Sequence, residues 1–395
     1  MRLLVALLLC VVGLSQSTLQ TGAPRSPLPH DAYIWQRAWT PRVIAAAERS
    51  ADLVRTWRVL VAEVDRSGRW SKANVAWDAL GTIGRPVVAV FRIDGRLDEA
   101  RMPSLLDQII ATLDALPSQP TGVEIDYDCP TFKLATYTQF LASLRQRLAS
   151  PIKLSITALP TWMNGQGLDR LAAPLDELVL QVHAVDDPHR GLFDPAQAEA
   201  WVQRFARRID RPFRVALPAY DVHVTWKRNG TLATVEGERP LLTGAAPGQT
   251  LRAAPESVLA FLHAIQRAAP DTLAGIVWFR LPTDADRRAW SPGTWRAVVT
   301  DRLPPARLSA SLVATAQPDL WTVVLANDGA VDAALPHRIL LDPACGMADS
   351  ANGFHLVSGT PLALEAGDGR LRPHGTRVIG WARCTQPQGQ LHVSP

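Results

Sequence analysis

Eight short segments before residue 285 are mainly apolar and rich in branched or aromatic side chains, and more polar stretches separate them. This pattern predicts buried β-strands, because a strand that is covered on both faces is a short, nearly continuous apolar run. The predicted strands are residues 32–37, 57–64, 86–93, 122–128, 152–159, 178–183, 213–219 and 274–280.

Helix signals separate these strands. Thr40-Pro41 is typical of a helix start, since Thr is a capping residue and Pro is tolerated in the first turn. Further predicted helices cover residues 102–116, 131–148, 195–208 and 255–268. The regular alternation predicts an α/β fold of the (β/α)8 or TIM-like barrel type. A doubly wound open sheet is the alternative, but no glycine-rich fingerprint follows the first strand.

The pattern changes after Leu303-Pro304-Pro305, where short β-rich runs begin at residues 308–314 and 321–326. Asn327-Asp328-Gly329 and further Gly and Pro residues interrupt these runs, as turns do in all-β domains. We therefore expect a TIM-like barrel at residues 30–302 and a small β-sandwich-like C-terminal domain at residues 306–395.

The chain begins with Met1-Arg2 and an apolar run over residues 3–14, followed by Ser15 and Ser17 at the spacing that signal peptidase prefers. This order predicts a cleaved signal peptide at residues 1–20 and a periplasmic or secreted protein. No later segment is apolar over enough residues to predict a membrane span.

The four cysteines fit an exported protein. Cys10 raises the alternative of a lipoprotein, but Leu9 precedes it where a small residue is expected, so simple cleavage is favoured. Cys345 and Cys384 both lie in the β-rich tail, and an oxidising compartment favours a disulfide between them. Cys129 is the odd one, either buried at the end of a strand, which we favour, or a reactive thiol.

The 41 basic and 37 acidic residues are spread through the chain, so the net charge of +4 gives no clustered surface for nucleic acid. A length of 395 residues with 47% hydrophobic content allows a large barrel core and a smaller second domain. The oligomeric state stays open.

Three carboxylates, Glu124, Asp126 and Asp128, stand at a spacing of two in the fourth predicted strand. They therefore lie on one face of that strand. Because burying unpaired carboxylates is costly, we expect this face to end in an open polar site. The alternative is an edge strand with a solvated acidic face.

Barrel enzymes carry their chemistry where the strands end, and several strands here end in polar or aromatic residues. Carboxylates that move protons, together with aromatic rings that stack on pyranose rings, favour sugar chemistry. Besides Glu124, the residues expected to contact substrate are Trp35, His183, Asp186, Tyr220, Trp278 and Arg280. Arg92 and Arg280 can instead pair with strand-end carboxylates.

A hairpin is predicted after the seventh strand, at residues 222–236, with Asn229-Gly230 as its type I′ turn. Trp226 on this hairpin is expected to line the substrate groove, or alternatively to pin the hairpin to the barrel.

The barrel region resembles family 18 glycoside hydrolases, the chitinase-like enzymes, whose fourth strand carries Asp-Gly-x-Asp-x-Asp-x-Glu. At these positions the chain has Thr121, Gly122, Glu124, Asp126 and Asp128, so the glycine and the central aspartate match. The whole mature chain resembles more specifically a bacterial secreted family, the domain of unknown function 3142. That resemblance rests on the stretches 34–37, 39–40, 91–95, 124–130 and 180–183.

The hydrolase resemblance implies that Asp128 is the general acid and that Asp126 raises its pKa and orients a substrate 2-acetamido group. It further implies that Trp278 is the ring platform, with His183 and Tyr220 as polar contacts. The predicted partner is a glycan, and no cofactor is implied.

A non-catalytic carbohydrate-binding protein is the second hypothesis, because Asp128 is one methylene shorter than the family's glutamate. A metal site at Asp126, Asp128, His183 and Asp186 is a third, disfavoured because no pair has a helical i, i+4 spacing.

Overall fold

The computed structural model describes residues 26–183, 191–227, 232–236, 248–367 and 369–394. Its first twelve strands, numbered in chain order, are β1 (His30–Ile34), β2 (Trp57–Val64), β3 (Trp70–Lys72), β4 (Val87–Ile93), β5 (Gly122–Tyr127), β6 (Lys153–Ala158), β7 (Glu177–Gln181), β8 (Phe213–Pro218), β9 (Val222–Trp226), β10 (Leu232–Glu236), β11 (Gln249–Leu251) and β12 (Leu273–Phe279). The predicted signal peptide lies outside the described residues.

Eight of these strands are parallel and close into a barrel in the order β1-β2-β4-β5-β6-β7-β8-β12, because β1 pairs with both β12 and β2. The helices between them are α1 (Pro41–Arg49), α2 (Trp77–Ile83), α3 (Met102–Asp114), α4 (Leu134–Arg147), α5 (Leu168–Ala172), α6 (Pro195–Ala206), α7 (Pro255–Arg267) and α8 (Pro292–Val299). Short 3-10 helices cover Glu99–Arg101, Thr131–Lys133 and Pro160–Asn164. The predicted (β/α)8 barrel is confirmed.

Local chemistry explains where several helices begin. Proline occupies the first turn of α1, α6, α7 and α8, where its missing N–H is not needed. Asp194 caps α6, because its Oδ1 accepts hydrogen bonds from the N–H groups of Ala196 at 3.0 Å and Gln197 at 3.1 Å.

Strand alternation divides the core into two layers. The larger layer lies between the strands and the helices and includes Ile34, Phe91 and Trp278. The smaller one fills the barrel itself with Tyr33, Trp35, Leu60, Val90, Val179, Ala216 and Val277, and Phe279 packs against it. The barrel mouth is the opening at the carboxyl ends of the parallel strands. Inward-facing residues of neighbouring strands therefore decide which side chains line it.

Two β-structures extend the barrel. β3 pairs antiparallel with β2 and was not predicted. Between β8 and α7, β9 pairs antiparallel with β10 and β11, so a hairpin lies where the sequence predicts one. The Asn229-Gly230 turn lies outside the described residues.

The C-terminal part is β-rich, as predicted, and its strands pair antiparallel. Its strands are β13 (Leu308–Ala314), β14 (Leu320–Asn327), β15 (Ala333–Ala334), β16 (Arg338–Leu340), β17 (Cys345–Ser350), β18 (Phe354–Val357), β19 (Ala363–Ala366), β20 (Arg370–Leu371), β21 (Thr376–Cys384) and β22 (Gln390–Ser394). Eight of them form one sheet around a common core, and β15 and β20 form a separate two-stranded ribbon. A disulfide joins Cys345 to Cys384, which confirms the predicted pair.

Among the described residues, no helix combines the length and the apolar character needed to cross a bilayer.

Candidate active site

Asp126 and Asp128 lie where β5 reaches the carboxyl end of the barrel. Asp126 is 7% exposed, and its Oδ1 accepts a hydrogen bond of 2.7 Å from Thr157 Oγ1 on β6. On the other side, Arg92 Nε of β4 lies 3.9 Å from Asp126 Oδ2. Asp128 follows the last residue of β5 and is exposed. The two carboxylates thus differ, one held inside the mouth and one open to it.

The electrostatics of this pair favour a retained proton. Burial and the neighbouring Asp128 charge raise the pKa of Asp126 to about 7, although Arg92 and the Thr157 hydrogen bond oppose this shift. Asp128 keeps an exposed surface, but the protein atoms around its carboxyl group displace part of its hydration and so raise its pKa, with Arg92 opposing and Asp94 adding to the shift. Near neutral pH the pair therefore holds a proton that belongs to both groups rather than to one.

Gly95 brings the loop after β4 against the end of β5. A Cβ at position 95 would overlap the carbonyl oxygen of Asp128. Only a residue without a side chain allows this backbone contact, which sets the position of Asp128 at the mouth.

A chain of charges runs from the carboxylate pair to the edge of β2. Arg37 Nε and Nη2 donate to the two oxygens of Glu63 at 2.6 and 2.7 Å, and Arg92 Nη1 lies 3.7 Å from the same carboxylate. Despite the burial of Glu63, these cations hold its pKa below the ordinary value. Arg92 therefore lies between Glu63 and Asp126. This is the pairing with strand-end carboxylates that the sequence offered as an alternative role for Arg92.

Aromatic residues form the opposite wall of the mouth, centred on Phe279. Ring centroids of Trp35, Tyr220 and His183 lie 5.0, 5.3 and 6.1 Å from that of Phe279. Burial lowers the pKa of His183 to about 4, so this imidazole is neutral at physiological pH. Burial also raises the pKa of Tyr220 and outweighs the opposing charge of Arg280, while Asp128 and Asp126 raise it further. Tyr220 thus lies within electrostatic reach of the carboxylates.

Arg280 supports this wall from behind. Its side chain is 3% exposed, its Cζ lies 5.7 Å from the Tyr220 ring centroid, and its Nε donates to Asp286 Oδ2 at 3.2 Å. Arg280 therefore pairs with a carboxylate of the following loop.

Trp278 does not form the floor of the mouth, in contrast to the expectation. It is fully buried on the outer face of β12, where its Nε1 donates to His30 Nδ1 at 2.8 Å and its ring contacts Trp290 and Trp295. Phe279, one residue further on, faces the mouth instead. The sequence pattern missed Phe279, because both faces of a barrel strand are apolar and alternation alone does not say which face is inside.

Glu124 does not reach the mouth either, which corrects its assignment as a substrate contact. It is fully buried in the barrel interior, where it accepts from Tyr33 Oη at 2.6 Å and Ser155 Oγ at 3.2 Å and forms an ion pair with Arg58. Burial raises the pKa of Glu124, and Arg58 opposes this shift. Asp31, Glu177 and Arg214 complete this interior charge cluster.

The remaining predicted residues lie as follows. Trp226 is half-buried and packs on the cluster that includes Tyr220, Val224 and Leu251, a position that suits either of the two roles considered for it. Cys129 is a buried free thiol, and burial raises its pKa to about 12. Asp186 lies outside the described residues.

In the part of the chain that the structure describes, no group of three or more His, Cys, Asp or Glu side chains is arranged to hold a metal ion.

Comparison with protein families gives two matches, neither of known function. The model of the domain of unknown function 3142 (DUF3142) matches residues 83–284, slightly more than half of the chain. A second model, the domain of unknown function 8456, matches residues 310–385 in the antiparallel part. No curated protein matches the chain.

Solved structures with a similar fold include two spore cortex-lytic enzymes and a chitinase. The spore cortex-lytic enzyme SleL of Bacillus cereus is 12% identical with a TM-score of 0.53, over 72% of this chain and 76% of that one. SleL of Bacillus megaterium is 13% identical with a TM-score of 0.53, over 71% and 76%. A chitinase of Chromobacterium violaceum is 17% identical with a TM-score of 0.50, over 70% and 99%. At such identities the likeness concerns the fold.

Proposed function

The chain belongs to the DUF3142 family, and from the carboxylate pair at its barrel mouth we propose that it is a glycoside hydrolase that acts on a glycan by general acid catalysis. The observation that carries the proposal is the raised pKa of Asp126, about 7, beside an exposed Asp128 at the end of β5. A carboxylic acid that keeps its proton near neutral pH can protonate the leaving oxygen of a glycosidic bond.

Asp128 delivers the proton in this proposal, because it is the exposed member of the pair and the one that a substrate can approach. Asp126 lies deeper in the mouth, where its Oδ1 accepts a hydrogen bond from Thr157 and its Oδ2 lies near Arg92. When the shared proton lies on Asp128, the negative charge of Asp126 keeps it there, and the Asp126 carboxylate can orient a polar substituent of the sugar next to the scissile bond.

The substrate class follows from the two walls of the mouth. One wall carries the charges of Arg92 and Glu63, and the other is the partly exposed ring of Phe279, against which the buried rings of Trp35 and Tyr220 pack. A sugar ring offers hydroxyl groups to the first and apolar C–H faces to the second. The fold neighbours reported above are by name a chitinase and two spore cortex-lytic enzymes, which supports a chitin-like or bacterial cell-wall glycan.

The cellular location belongs to the same proposal. The apolar N-terminal run supports export into the periplasm or the medium, where the Cys345–Cys384 disulfide is stable and extracellular glycans are accessible.

The test is the appearance of reducing ends when the purified mature protein is incubated with chitin oligosaccharides or bacterial sacculi. Asp128→Asn preserves the shape of the side chain but removes its transferable proton, so turnover should fall by about 10² to 10⁴. Asp107→Asn, an equal change at an exposed carboxylate on α3, is the matched control.

Full activity of Asp128→Asn would exclude Asp128 as the acid. Binding of a glycan by the wild type without cleavage would instead favour the non-catalytic carbohydrate-binding hypothesis.

A further inference from the structure

Side chains in and directly after the two-stranded ribbon of the C-terminal part contact loops at the barrel mouth. Arg372 directly follows β20, and its Nη1 donates to the carbonyl oxygen of Asp284 at 3.3 Å. Its Nη2 donates to the carbonyl oxygens of Asp286 and, at 3.4 Å, Ala289. All three acceptors lie in the loop between β12 and α8. We call residues 281–290 of this loop the mouth loop. One guanidinium thus holds this loop at three points.

Two further residues, Arg370 and Asp332, fasten the same ribbon beside the mouth loop. Arg370 of β20 forms an ion pair with Asp221, the residue after Tyr220. Asp332, just before β15, accepts from the N–H of Ser291 at 2.7 Å, and its own N–H donates to Thr294 Oγ1 at 2.7 Å. Asp221 and Asp332 are 4% and 5% exposed, so these charged contacts are shielded from water.

The mouth loop contains Asp286, whose carboxylate binds Arg280 next to the aromatic wall. Asp286 Oδ1 accepts from the N–H groups of Arg288 at 3.0 Å and Ala289 at 3.2 Å, which leaves its Oδ2 directed at Arg280 Nε. Arg280 then lies against the ring of Tyr220. The chain of contacts therefore runs from Arg372 through the mouth loop, Asp286 and Arg280 to a residue that faces the carboxylate pair.

We propose that Arg372 is a positioning residue of the candidate active site. The C-terminal part then holds the aromatic wall of the cleft in place and is not a separable binding module. The contact of Arg372 with the Asp286 carbonyl holds the loop conformation in which the Asp286 carboxylate directs Arg280 at Tyr220. The catalytic consequence rests on the proposed function, whereas the ordering of the loop does not.

Hydrogen exchange of the full chain, followed by mass spectrometry, tests the ordering. In Arg372→Ala, amides of residues 284–290 should exchange at least about tenfold faster, because three carbonyl contacts to a charged donor are lost. Residues 219–221 should follow, since the Asp221 N–H bonds to the Arg288 carbonyl oxygen and the Trp290 N–H bonds to that of Ala219. The control is Arg383→Ala, at an exposed arginine of β21 in the same part of the chain, which should leave both segments unchanged.

Turnover of the cleaved glycan tests the consequence. Arg372→Ala should lower kcat by about tenfold with a smaller change in KM, since the wall supports the reacting geometry more than the first encounter. Arg372→Lys, which keeps a donor at this position, should restore part of both readouts. Asp286→Asn breaks the same chain one link further on and serves if Arg372→Ala does not fold.

Unchanged exchange at residues 219–221 and 284–290 would overturn the proposal, and so would faster exchange with wild-type turnover. If the wild type cleaves no glycan, the proposed function fails on its own, and the exchange result still decides whether Arg372 orders the wall.

Discussion

Asp126 is a buried carboxylate with a raised pKa, and this has a consequence for stability that can be measured without a substrate. Its pKa of about 7 in the folded protein lies above the value of about 3.9 in an unfolded chain. Between these values the folded state binds more protons, so the free energy of unfolding falls as the pH rises, and the loss is complete above pH 7.

Replacing Asp126 with asparagine, a neutral side chain of the same shape, should remove this pH-dependent loss in the free energy of unfolding. Asp126→Asn keeps an acceptor for Thr157, so its free energy of unfolding relative to wild type should rise by about 2 to 4 kcal/mol between pH 4 and pH 8. Urea denaturation of both proteins at pH 4, 6 and 8 measures this difference. A difference that stays constant with pH would contradict the assigned shift.

At the scale of elements, the mouth depends on how closely the loop after β4 approaches the end of β5. Gly95→Ala would place a methyl group on the Asp128 carbonyl, so this backbone must move, at a cost of about 1 to 3 kcal/mol. Because Asp128 moves with it, turnover on a cleaved glycan should fall by at least about tenfold. Thermal unfolding and initial rates check the two effects.

The matched control is Gly81→Ala in α2, where an added Cβ has nothing within 4 Å. There the substitution should stabilise the helix by about 0.5 to 1 kcal/mol and leave turnover unchanged. If Gly95→Ala behaved like Gly81→Ala, the close approach would not set the position of Asp128.

At the scale of the whole molecule, the barrel and the antiparallel part are joined by buried charged contacts, and a disulfide closes the latter. The Cys345–Cys384 bond spans 39 residues of sequence, so its loss should lower the free energy of unfolding of this part by about 3 to 4 kcal/mol in the chain-entropy model. Denaturation of the protein with both cysteines replaced by alanine measures this value.

Mass mapping of the non-reduced exported protein is the companion measurement. Free thiols at both Cys345 and Cys384 after oxidative export would contradict the pairing. An unfolding curve of the double variant that coincides with the wild-type curve would contradict its contribution to stability.

The sequence by itself determined the features that depend on local pattern. Alternating apolar segments separated by capped helices specified the barrel, and the spacing of Asp126 and Asp128 placed both on the face that ends at the mouth. Strand bounds differed by a few residues, most at β1, where the prediction included Trp35 to Arg37 although the strand ends at Ile34. The cysteine pair was predicted from the expected export and from a shared β-rich region.

Tertiary structure alone decided which face of each strand points inward and what lies across the barrel. Trp278 and Phe279 are adjacent bulky residues of an apolar strand, so only barrel closure reveals that the first packs on helices and the second faces the mouth. Glu124 found its partner Arg58 across 66 positions of sequence, and Arg372 reached the mouth loop from another part of the chain. Such contacts depend on long-range closure of the chain, which periodicity and local propensity do not encode.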